Sequence, residues 1–376
     1  MKILVVKSFT SLTSVGVLSR ALAKRGHDVH LLVPGEHTDV AAMRAAGIRV
    51  HIMPFSPTFF GRAESVARLT RLLRAERFEI AHLNLARARL VGRLAATLAP
   101  ESLRVVSTIR GLEARYERWT NRFDDATVVV SESVRRFLIE RGIDAARIER
   151  IPNAIDLDAL DRIPHDRHRL HRELGLPLET KLIGMVAFFR PHLLKGHRVF
   201  FDAAKLLADA RPDVHFVLVG SNLSKGGFNK EYFKRHAVEI GLEQRAHFLG
   251  ERNDIPEIMS SLAANVLPSF REGCPMVVLE SMARGVPTVA SDIDSIREIV
   301  ADGESGLLFP AGDSATLGKL LGSLLDDPVH ARALAARGRE RVESAFRSTT
   351  MAARYESLYR RLLDAKPVRA RVWSGA

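Results

Sequence analysis

The sequence predicts an α/β protein built from two doubly wound, parallel-sheet domains. Short apolar runs, typical of buried parallel strands, alternate with longer helical patterns. This alternation occurs twice along the chain, which favours two similar halves over one extended sheet. The length of 376 residues also exceeds what one small core needs and fits two domains of ordinary size.

In the first half, five apolar runs are predicted to form strands. They are Ile3–Val6, Val29–Val33, Ile80–Leu83, Val105–Thr108 and Val128–Val130. Helical patterns lie between them, over Val17–Lys24, Ser65–Ala75, Leu90–Leu98 and Ser133–Glu140. Glycines at 26 and 142 follow the first and last of these helices, where glycine commonly ends a helix.

The second half repeats the pattern. Strands are predicted at Leu182–Val186, Val214–Val219, Ala246–Leu249, Ala264–Leu267, Val286–Ala290 and Leu307–Phe309. Helices are predicted to begin at His197 and Lys230, and three more cover Ala315–Leu325, Pro328–Phe346 and Thr349–Leu363.

Charge and composition narrow the class of protein. The formal net charge is +12, and residues 1–160 hold 25 Lys and Arg against 17 Asp and Glu. A basic half suits nucleic acid, anionic lipid or a phosphorylated acceptor. We expect no nucleic-acid partner, because zinc-finger and helix-turn-helix patterns are missing and only 6% of residues are aromatic. The single cysteine excludes an intrachain disulfide, and no apolar run reaches membrane-spanning length. We therefore expect a cytoplasmic protein that is either soluble or attached peripherally to the inner face of the membrane.

Residues 264–291 carry the clearest chemical pattern, which indicates strand, loop, helix, turn and strand. The loop holds Glu272, Pro275 suits the first turn of the helix, and Gly285 suits its end. Ligands of a parallel sheet bind at the carboxyl ends of its strands, where free helix N–H groups suit an anion or sugar hydroxyls. Glu280, eight residues after Glu272, adds a second acceptor for hydroxyl groups.

The stretch from Pro268 to Pro287 resembles the Glu, seven residues, Glu motif of the retaining glycosyltransferases of family 4. Both glutamates, the glycine after the first, the proline two residues further on and the terminal Gly-Val-Pro are present. The resemblance implies the GT-B fold, in which two Rossmann-like domains face a cleft. The alternative is an ordinary strand–helix–strand unit with two solvated glutamates.

On the donor side, the resemblance implies roles for nine residues. Arg190, Lys195 and Glu272 would be catalytic, the two cations binding the nucleotide diphosphate and stabilising the leaving group. Donor contacts would come from Gly220, Gly250, Asp254, Gly273, Cys274 and Glu280. Glu280 would bind the ribose, and the segment from Gly250 to Asp254 the base. The resemblance implies a nucleoside diphosphate sugar, such as a UDP or GDP sugar, as donor, with no cofactor and no metal.

The acceptor side departs from the family pattern. The segment that follows the first strand, KSFTSLTSVG, lacks the usual glycine pair. His82 and Asn84 occupy the family's His-x-His element, and Arg110 stands where a histidine is common. The resemblance implies acceptor contacts from these three residues, and Arg110 suggests an anionic acceptor or an anionic membrane. Alternatively, His82 is a hydrogen-bonded strand-end residue, and the nearby arginines form solvated helix faces.

The resemblance also sets the expected domain boundaries and activity. Ile148–Leu160 resembles the family's interdomain element, so we expect an acceptor-binding domain over 1–160, with 350–376 packing back on it, and a nucleotide-sugar domain over 161–349. The predicted reaction is retaining transfer of a sugar to a glycan or lipid-linked acceptor, in cell-surface polysaccharide or glycolipid synthesis. Two alternatives stay open: a non-catalytic nucleotide-sugar-binding subunit of a glycosylation complex, and a nucleotide-sugar epimerase of the same fold.

Overall fold

The chain divides into two compact units in a computed structural model that describes residues 1–8, 13–36, 38–56, 58–112, 121–189, 193–222 and 229–365. Unit 1 comprises residues 1–156 together with 348–376, and unit 2 comprises residues 157–347. The chain therefore passes between the units twice, after Asp156 and again before Ser348.

Unit 1 contains a parallel seven-stranded sheet in the order β3-β2-β1-β4-β5-β6-β7. Its strands are β1 (Lys2–Lys7), β2 (Asp28–Val33), β3 (Arg49–Ile52), β4 (Ile80–Asn84), β5 (Arg104–Ile109), β6 (Ala126–Val129) and β7 (Ile148–Arg150). Its helices are α1 (Thr13–Lys24), α2 (Thr38–Ala45), α3 (Phe59–Glu76), α4 (Ala86–Thr97) and α5 (Glu132–Ile139), with α15 (Ser348–Asp364) returning from the end of the chain.

Unit 2 contains a parallel six-stranded sheet in the order β10-β9-β8-β11-β12-β13. Its strands are β8 (Lys181–Val186), β9 (Val214–Val219), β10 (Ala246–Gly250), β11 (Ala264–Leu267), β12 (Thr288–Ser291) and β13 (Leu307–Phe309). Its helices are α6 (Leu157–Leu160), α7 (Arg169–Leu174), α8 (His197–Ala210), α9 (Lys230–Glu239), α10 (Ile255–Ser260), α11 (Met276–Ala283), α12 (Asp294–Arg297), α13 (Ser314–Asp326) and α14 (Pro328–Ala345).

Helices cover both faces of the unit 1 sheet, which explains why its central strands are almost wholly apolar. Ile3 and Val5 of β1 belong to the core beneath α1 and α15, whereas Leu4 and Val6 belong to the core beneath α3 and α4. Successive side chains of a strand point to opposite faces, so a strand covered on both faces needs apolar residues at every position. The prediction of two parallel-sheet α/β domains is confirmed.

The two edge strands of unit 1, β3 and β7, were not predicted from the sequence. Both are short, carry charged residues and are only partly buried, so neither shows the continuous apolar run of a central strand. The start of α3 was also predicted too late, at Ser65. The Thr58 side chain accepts a hydrogen bond from the Gly61 amide and so caps the helix six residues earlier.

Candidate functional site

Lys195 and Glu272 meet at the carboxyl-terminal edge of the unit 2 sheet. Lys195 ends a short 3-10 turn before α8, and Glu272 lies in the loop between β11 and α11. The Lys195 Nζ atom is 2.5 Å from Glu272 Oε1, although the residues are 77 positions apart. Both side chains are mostly buried, so the ion pair is poorly screened by solvent. The structure thus brings together two of the three residues predicted to be catalytic.

Close backbone packing holds these two loops together. The amide of Phe270 donates a hydrogen bond of 2.9 Å to the carbonyl of Leu194. Gly196 has a φ of +70°, and a Cβ atom there would lie 1.8 Å from the Pro268 carbonyl oxygen. Only glycine fits this contact, because a side chain would collide with rigid backbone. The position of Lys195 relative to Glu272 therefore depends on its glycine neighbour.

The N-terminus of α11 opens beside Glu272. Pro275 occupies the N-cap position, and Gly273 and Cys274 just before it are buried. The amide of Gly273 has no hydrogen-bond acceptor within the described residues. A helix N-terminus carries partial positive charge and unfilled N–H donors, so this position suits sugar oxygens or phosphate. Contacts of Gly273 and Cys274 with a donor sugar stay a prediction.

Glu280 lies one turn into α11, and its carboxyl group makes no hydrogen bond or ion pair with any described residue. Burial raises the pKa of its carboxyl group to about 7. A partly buried carboxyl without a partner is costly to ionise, and hydroxyl donors would relieve that cost. The residue therefore suits the predicted binding of ribose hydroxyls.

The other predicted donor-side residues lie at neighbouring strand ends. Gly220 follows β9, and its amide donates a 2.7 Å hydrogen bond to the carbonyl of Gly250 at the end of β10. A Cβ atom on Gly220 would lie 2.0 Å from the Ala187 carbonyl, so packing within unit 2 already requires this glycine. Asp254 caps α10 and is paired with Arg169 and Arg252, which hold the pKa of its carboxyl well below the usual range, Arg252 contributing most.

Some positions singled out in the sequence lie outside the described residues. Arg190, the third predicted catalytic residue, is one of them. Most of the segment between β1 and α1 that lacks the glycine pair, residues 9–12, is another.

His82 is enclosed within unit 1. Its Nε2 atom lies 2.6 Å from Thr108 Oγ1, and its Nδ1 atom lies 2.7 Å from the Tyr359 hydroxyl of α15. The side chain is fully buried, and burial, reinforced by the charge of Arg110, lowers the pKa of the ring to about 3. Both nitrogens are engaged, which favours the hydrogen-bonded alternative and leaves no ring nitrogen for a direct acceptor contact.

Asn84 and Arg110 lie side by side at the carboxyl ends of β4 and β5. Arg110 Nη2 donates a 3.1 Å hydrogen bond to Asn84 Oδ1, and Nη1 donates to Asn153 Oδ1. Asn84 and Asn153 are buried, whereas Arg110 is partly exposed. The amide oxygens hold the guanidinium group in one orientation at this edge.

Two further cations lie at this edge: Lys7, which was not predicted from the sequence, and Arg89, one of the arginines noted near Arg110. Lys7, at the end of β1, is 7% exposed, and Arg89 of α4 is 4% exposed. Burial, followed by the charge of Arg110 and opposed by Asp39, lowers the pKa of Lys7 to about 7. The sequence signal that could have identified Lys7 is its position directly after the apolar residues of β1. A residue at the carboxyl end of a parallel strand lies at the edge of the sheet where ligands bind.

Other arginines near this edge have structural partners. Arg93 forms a buried ion pair with Asp124. On α3, Arg68 pairs with Glu64 at 2.7 Å, and Arg74 Nε donates a 2.9 Å hydrogen bond to the Leu98 carbonyl. These contacts give Arg68, Arg74 and Arg93 partners within unit 1, which favours structural roles for these three residues over acceptor binding.

The described part of the chain has no cluster of three or more His, Cys, Asp or Glu side chains arranged to hold a metal ion. None of the helices that the structure describes is long and apolar enough to cross a membrane.

Comparison with known proteins identifies the family. Residues 166–341 match the family model of group 1 glycosyl transferases, and residues 13–159 match the model of glycosyltransferase family 4. The lipopolysaccharide core biosynthesis mannosyltransferase LpsB of Rhizobium meliloti is 31% identical over 243 residues, which are 60% of this chain and 68% of that protein. The UDP-Gal:alpha-D-GlcNAc-diphosphoundecaprenol alpha-1,3-galactosyltransferase of Escherichia coli is 28% identical and covers 71% of each chain.

A solved structure supports the fold independently. HepE of Anabaena, crystallised in complex with UDP and glucose, superimposes with a TM-score of 0.82 at 23% identity. The match covers 95% of this chain and 99% of that chain, and therefore spans both units. The chain contains two parallel-sheet units, matches these family models over most of its length and has glycosyltransferase relatives. It therefore belongs to glycosyltransferase family 4, has the GT-B fold and is a glycosyltransferase.

Proposed function

We propose that this enzyme transfers a sugar from a nucleoside diphosphate sugar to a glycan or lipid-linked acceptor, with retention at the anomeric carbon. The observation that carries the proposal is the Lys195–Glu272 pair beside the N-terminus of α11, with Glu280 on the same helix. One cation, a helix N-terminus and two carboxylates match the phosphate, the sugar hydroxyls and the ribose of such a donor.

The proposed reaction uses positioning and electrostatics rather than a protein nucleophile. The bond between the anomeric carbon and the donor phosphate oxygen breaks, and the acceptor oxygen bonds to the same face of that carbon. The proton of the acceptor hydroxyl passes to an oxygen of the departing phosphate. Lys195 and Arg190 stabilise the negative charge that develops there, and Glu272 orients the sugar through its hydroxyls. We propose that these two cations make a metal ion unnecessary.

The names of two relatives and of one structural neighbour support the proposed classes of donor and acceptor. The E. coli relative is named for a UDP sugar donor and a diphosphoundecaprenol acceptor, and the R. meliloti relative for lipopolysaccharide core synthesis. HepE was crystallised with UDP. We therefore propose a nucleotide sugar such as a UDP sugar as donor, and a role in cell-surface polysaccharide or glycolipid synthesis.

We also propose that the enzyme works in the cytoplasm and contacts the inner face of the membrane peripherally. Unit 1 has both exposed apolar side chains and exposed arginines on α3 and α4. Phe60 is 85% exposed, and Leu94 and Leu98 are about half exposed, while Arg71 is exposed on the neighbouring helix. Apolar side chains interspersed with cations suit the surface of an anionic bilayer.

A thermal-shift screen with UDP, GDP and ADP, followed by transfer assays with the matching nucleotide sugars, tests the proposal. We expect one nucleoside diphosphate to stabilise the protein and its α-linked sugar to yield an α-linked product. Lys195→Gln should abolish most turnover, whereas Lys319→Gln, an exposed lysine of the same unit, should not. Turnover should persist in a chelator if no metal is required.

Three results would contradict the proposal. An inverted anomeric product would overturn retention. Conversion of the nucleotide sugar to an isomer in the absence of any acceptor would indicate an epimerase. Stabilisation by a nucleoside diphosphate without transfer or hydrolysis of any nucleotide sugar would indicate a binding subunit.

A further inference from the structure

A cavity of about 270 Å³ lies at the amino-terminal edge of the unit 2 sheet, and we call it the strand-start cavity. Its lining includes Leu182 at the start of β8, and Leu262 and Val286 just before β11 and β12. Lys195 and Glu272 lie at the opposite, carboxyl-terminal edge of the same sheet. The strand-start cavity therefore shares no residue with the candidate donor site.

The sheet side of the strand-start cavity is apolar. Leu182, Leu262 and Val286 are each less than one-tenth exposed. An apolar cavity of roughly 150 Å³ accommodates benzene. The larger volume of the strand-start cavity therefore has room for one small ring or a short alkyl chain together with a polar head group.

Basic side chains border the cavity. Arg167 and Lys181 contribute to the lining from the chain on either side of α7, and Arg332 contributes from α14. All three residues are exposed, and none forms an ion pair or a side-chain hydrogen bond with a described residue. Among the described residues that line the cavity, none is Asp or Glu. Three cations without an acidic neighbour in the lining favour an anionic head group.

His171 of α7 adds a buried polar atom without a partner. Its side chain lines the cavity and is 4% exposed. Its Nε2 atom donates a 2.8 Å hydrogen bond to the Thr180 carbonyl, which can only accept. Its Nδ1 atom has no hydrogen-bond partner within the described residues. Buried polar atoms are nearly always paired, so an unpaired ring nitrogen in the lining indicates that a polar group completes this site.

We propose that the strand-start cavity binds a small amphipathic anion. The apolar body of the ligand packs against Leu182 and Leu262, and its carboxylate or phosphate group lies among the three cations of the lining. His171 Nδ1 accepts a hydrogen bond from a hydroxyl group of the ligand, or donates one to the anionic group when the ring is protonated. The proposal does not rest on the proposed function, because a ligand at this edge binds alongside the donor and not in its place.

Benzoate and phenyl phosphate are the probes, and benzyl alcohol is the neutral control of similar shape. Calorimetric titration of the full-length chain measures the affinity for each compound. We expect both anions to bind saturably and benzyl alcohol to bind at least about tenfold more weakly, the loss typical of charge-assisted hydrogen bonds. The anion that binds more tightly identifies the head group as a carboxylate or a phosphate. UDP, GDP and ADP should not displace benzoate.

The exposed cations can be changed without disturbing the core. A variant that combines Arg167→Gln, Lys181→Gln and Arg332→Gln should weaken the binding of both anions at least about tenfold, since each exposed charge contributes little singly and the three act together. The affinity for benzyl alcohol should stay the same. Lys234→Gln combined with Arg235→Gln, which removes exposed cations of α9, is the control and should change anion binding less than about twofold.

The ring nitrogens of His171 report binding directly. In an NMR titration, the tighter-binding anion should shift their resonances, assigned by their loss in His171→Gln, and leave those of the exposed His330 unshifted. Unshifted His171 resonances, benzyl alcohol binding as tightly as the anions, or unchanged anion binding in the triple variant would each overturn the proposal. Displacement of benzoate by a nucleoside diphosphate would assign the binding to the donor site and overturn it, as would the absence of saturable binding of both anions.

Discussion

Nucleotide binding should depend on the protonation of Glu280. The carboxyl group is partly buried without a partner and has a pKa raised to about 7, so near neutral pH about half of the free protein carries it protonated. A ribose donates two hydroxyl hydrogens, which a carboxylate accepts and a protonated carboxyl accepts poorly. We therefore expect nucleotide affinity to fall as the pH drops through 7.

The size of the effect follows from the fraction of the protein that is ionised. Affinity scales with that fraction, so lowering the pH from 8 to 6 should weaken binding about tenfold.

The raised pKa of Glu280 affects folding stability in the opposite direction. Because the folded-state pKa lies above the unfolded value of 4.5, the contribution of this group is complete below pH 4.5 and is lost as the pH rises through 7. The full difference between the folded and unfolded pKa values corresponds to about 3 kcal/mol in the free energy of unfolding.

Calorimetric titration of the nucleoside diphosphate at pH 6, 7 and 8 measures the first effect. Glu280→Gln keeps the shape of the side chain, should bind more weakly at pH 8 and should lack the wild-type pH dependence. Titration of the ligand's own phosphate cancels in the comparison of the two proteins. Glu304→Gln, an exposed glutamate of the same unit, is the matched control and should behave as the wild type.

Thermal unfolding without ligand provides an independent check. Glu280→Gln should match the wild type near pH 4.5 and be more stable than the wild type at pH 8, by up to about 3 kcal/mol. Equal pH dependence of binding in wild type and Glu280→Gln would refute the assignment of Glu280 to the ribose. Equal pH dependence of stability would refute the raised pKa itself.

Three further predictions follow from the structure. Lys195→Ala should lower kcat far more than it changes nucleotide affinity, since leaving-group charge develops in the transition state; a loss confined to KM in steady-state kinetics would argue against that role. Gly196→Ala should destabilise unit 2 by more than about 1 kcal/mol in denaturant unfolding and lower turnover, because its Cβ would meet the Pro268 carbonyl; wild-type stability would show that the loop adapts. His215 and His247 lie 2.9 Å apart across β9 and β10, with pKa values lowered first by burial, that of His247 to about 4. Stability should therefore be complete above pH 6.5 and fall towards pH 4, by about 1 kcal/mol after allowance for solvent exposure, and His247→Gln should flatten that decline in a melting series.

The sequence by itself determined the fold class and the family, and it predicted which residues form the donor side. Apolar runs of strand length between helical patterns are local features, and burial on both faces of a sheet makes them visible. Glu272, Gly273, Pro275 and Glu280 lie within nine consecutive positions, so their order on a loop and a helix could be predicted without tertiary structure. The edge strands β3 and β7 could not, because charged, partly buried strands depend on their neighbours for hydrogen bonds.

Only the tertiary structure decided which distant residues meet. The pairing of Lys195 with Glu272 depends on β8 and β11 being neighbours in the sheet, an order that no local pattern specifies. The enclosure of His82 by a tyrosine of α15 required the end of the chain to return to unit 1. In the sequence, Lys7 is one of many basic residues. Only the strand register shows that it lies beside Asn84 and near Arg110. Strand order and register arise from packing over the whole unit, which is why these contacts are determined by the fold and not by any single segment.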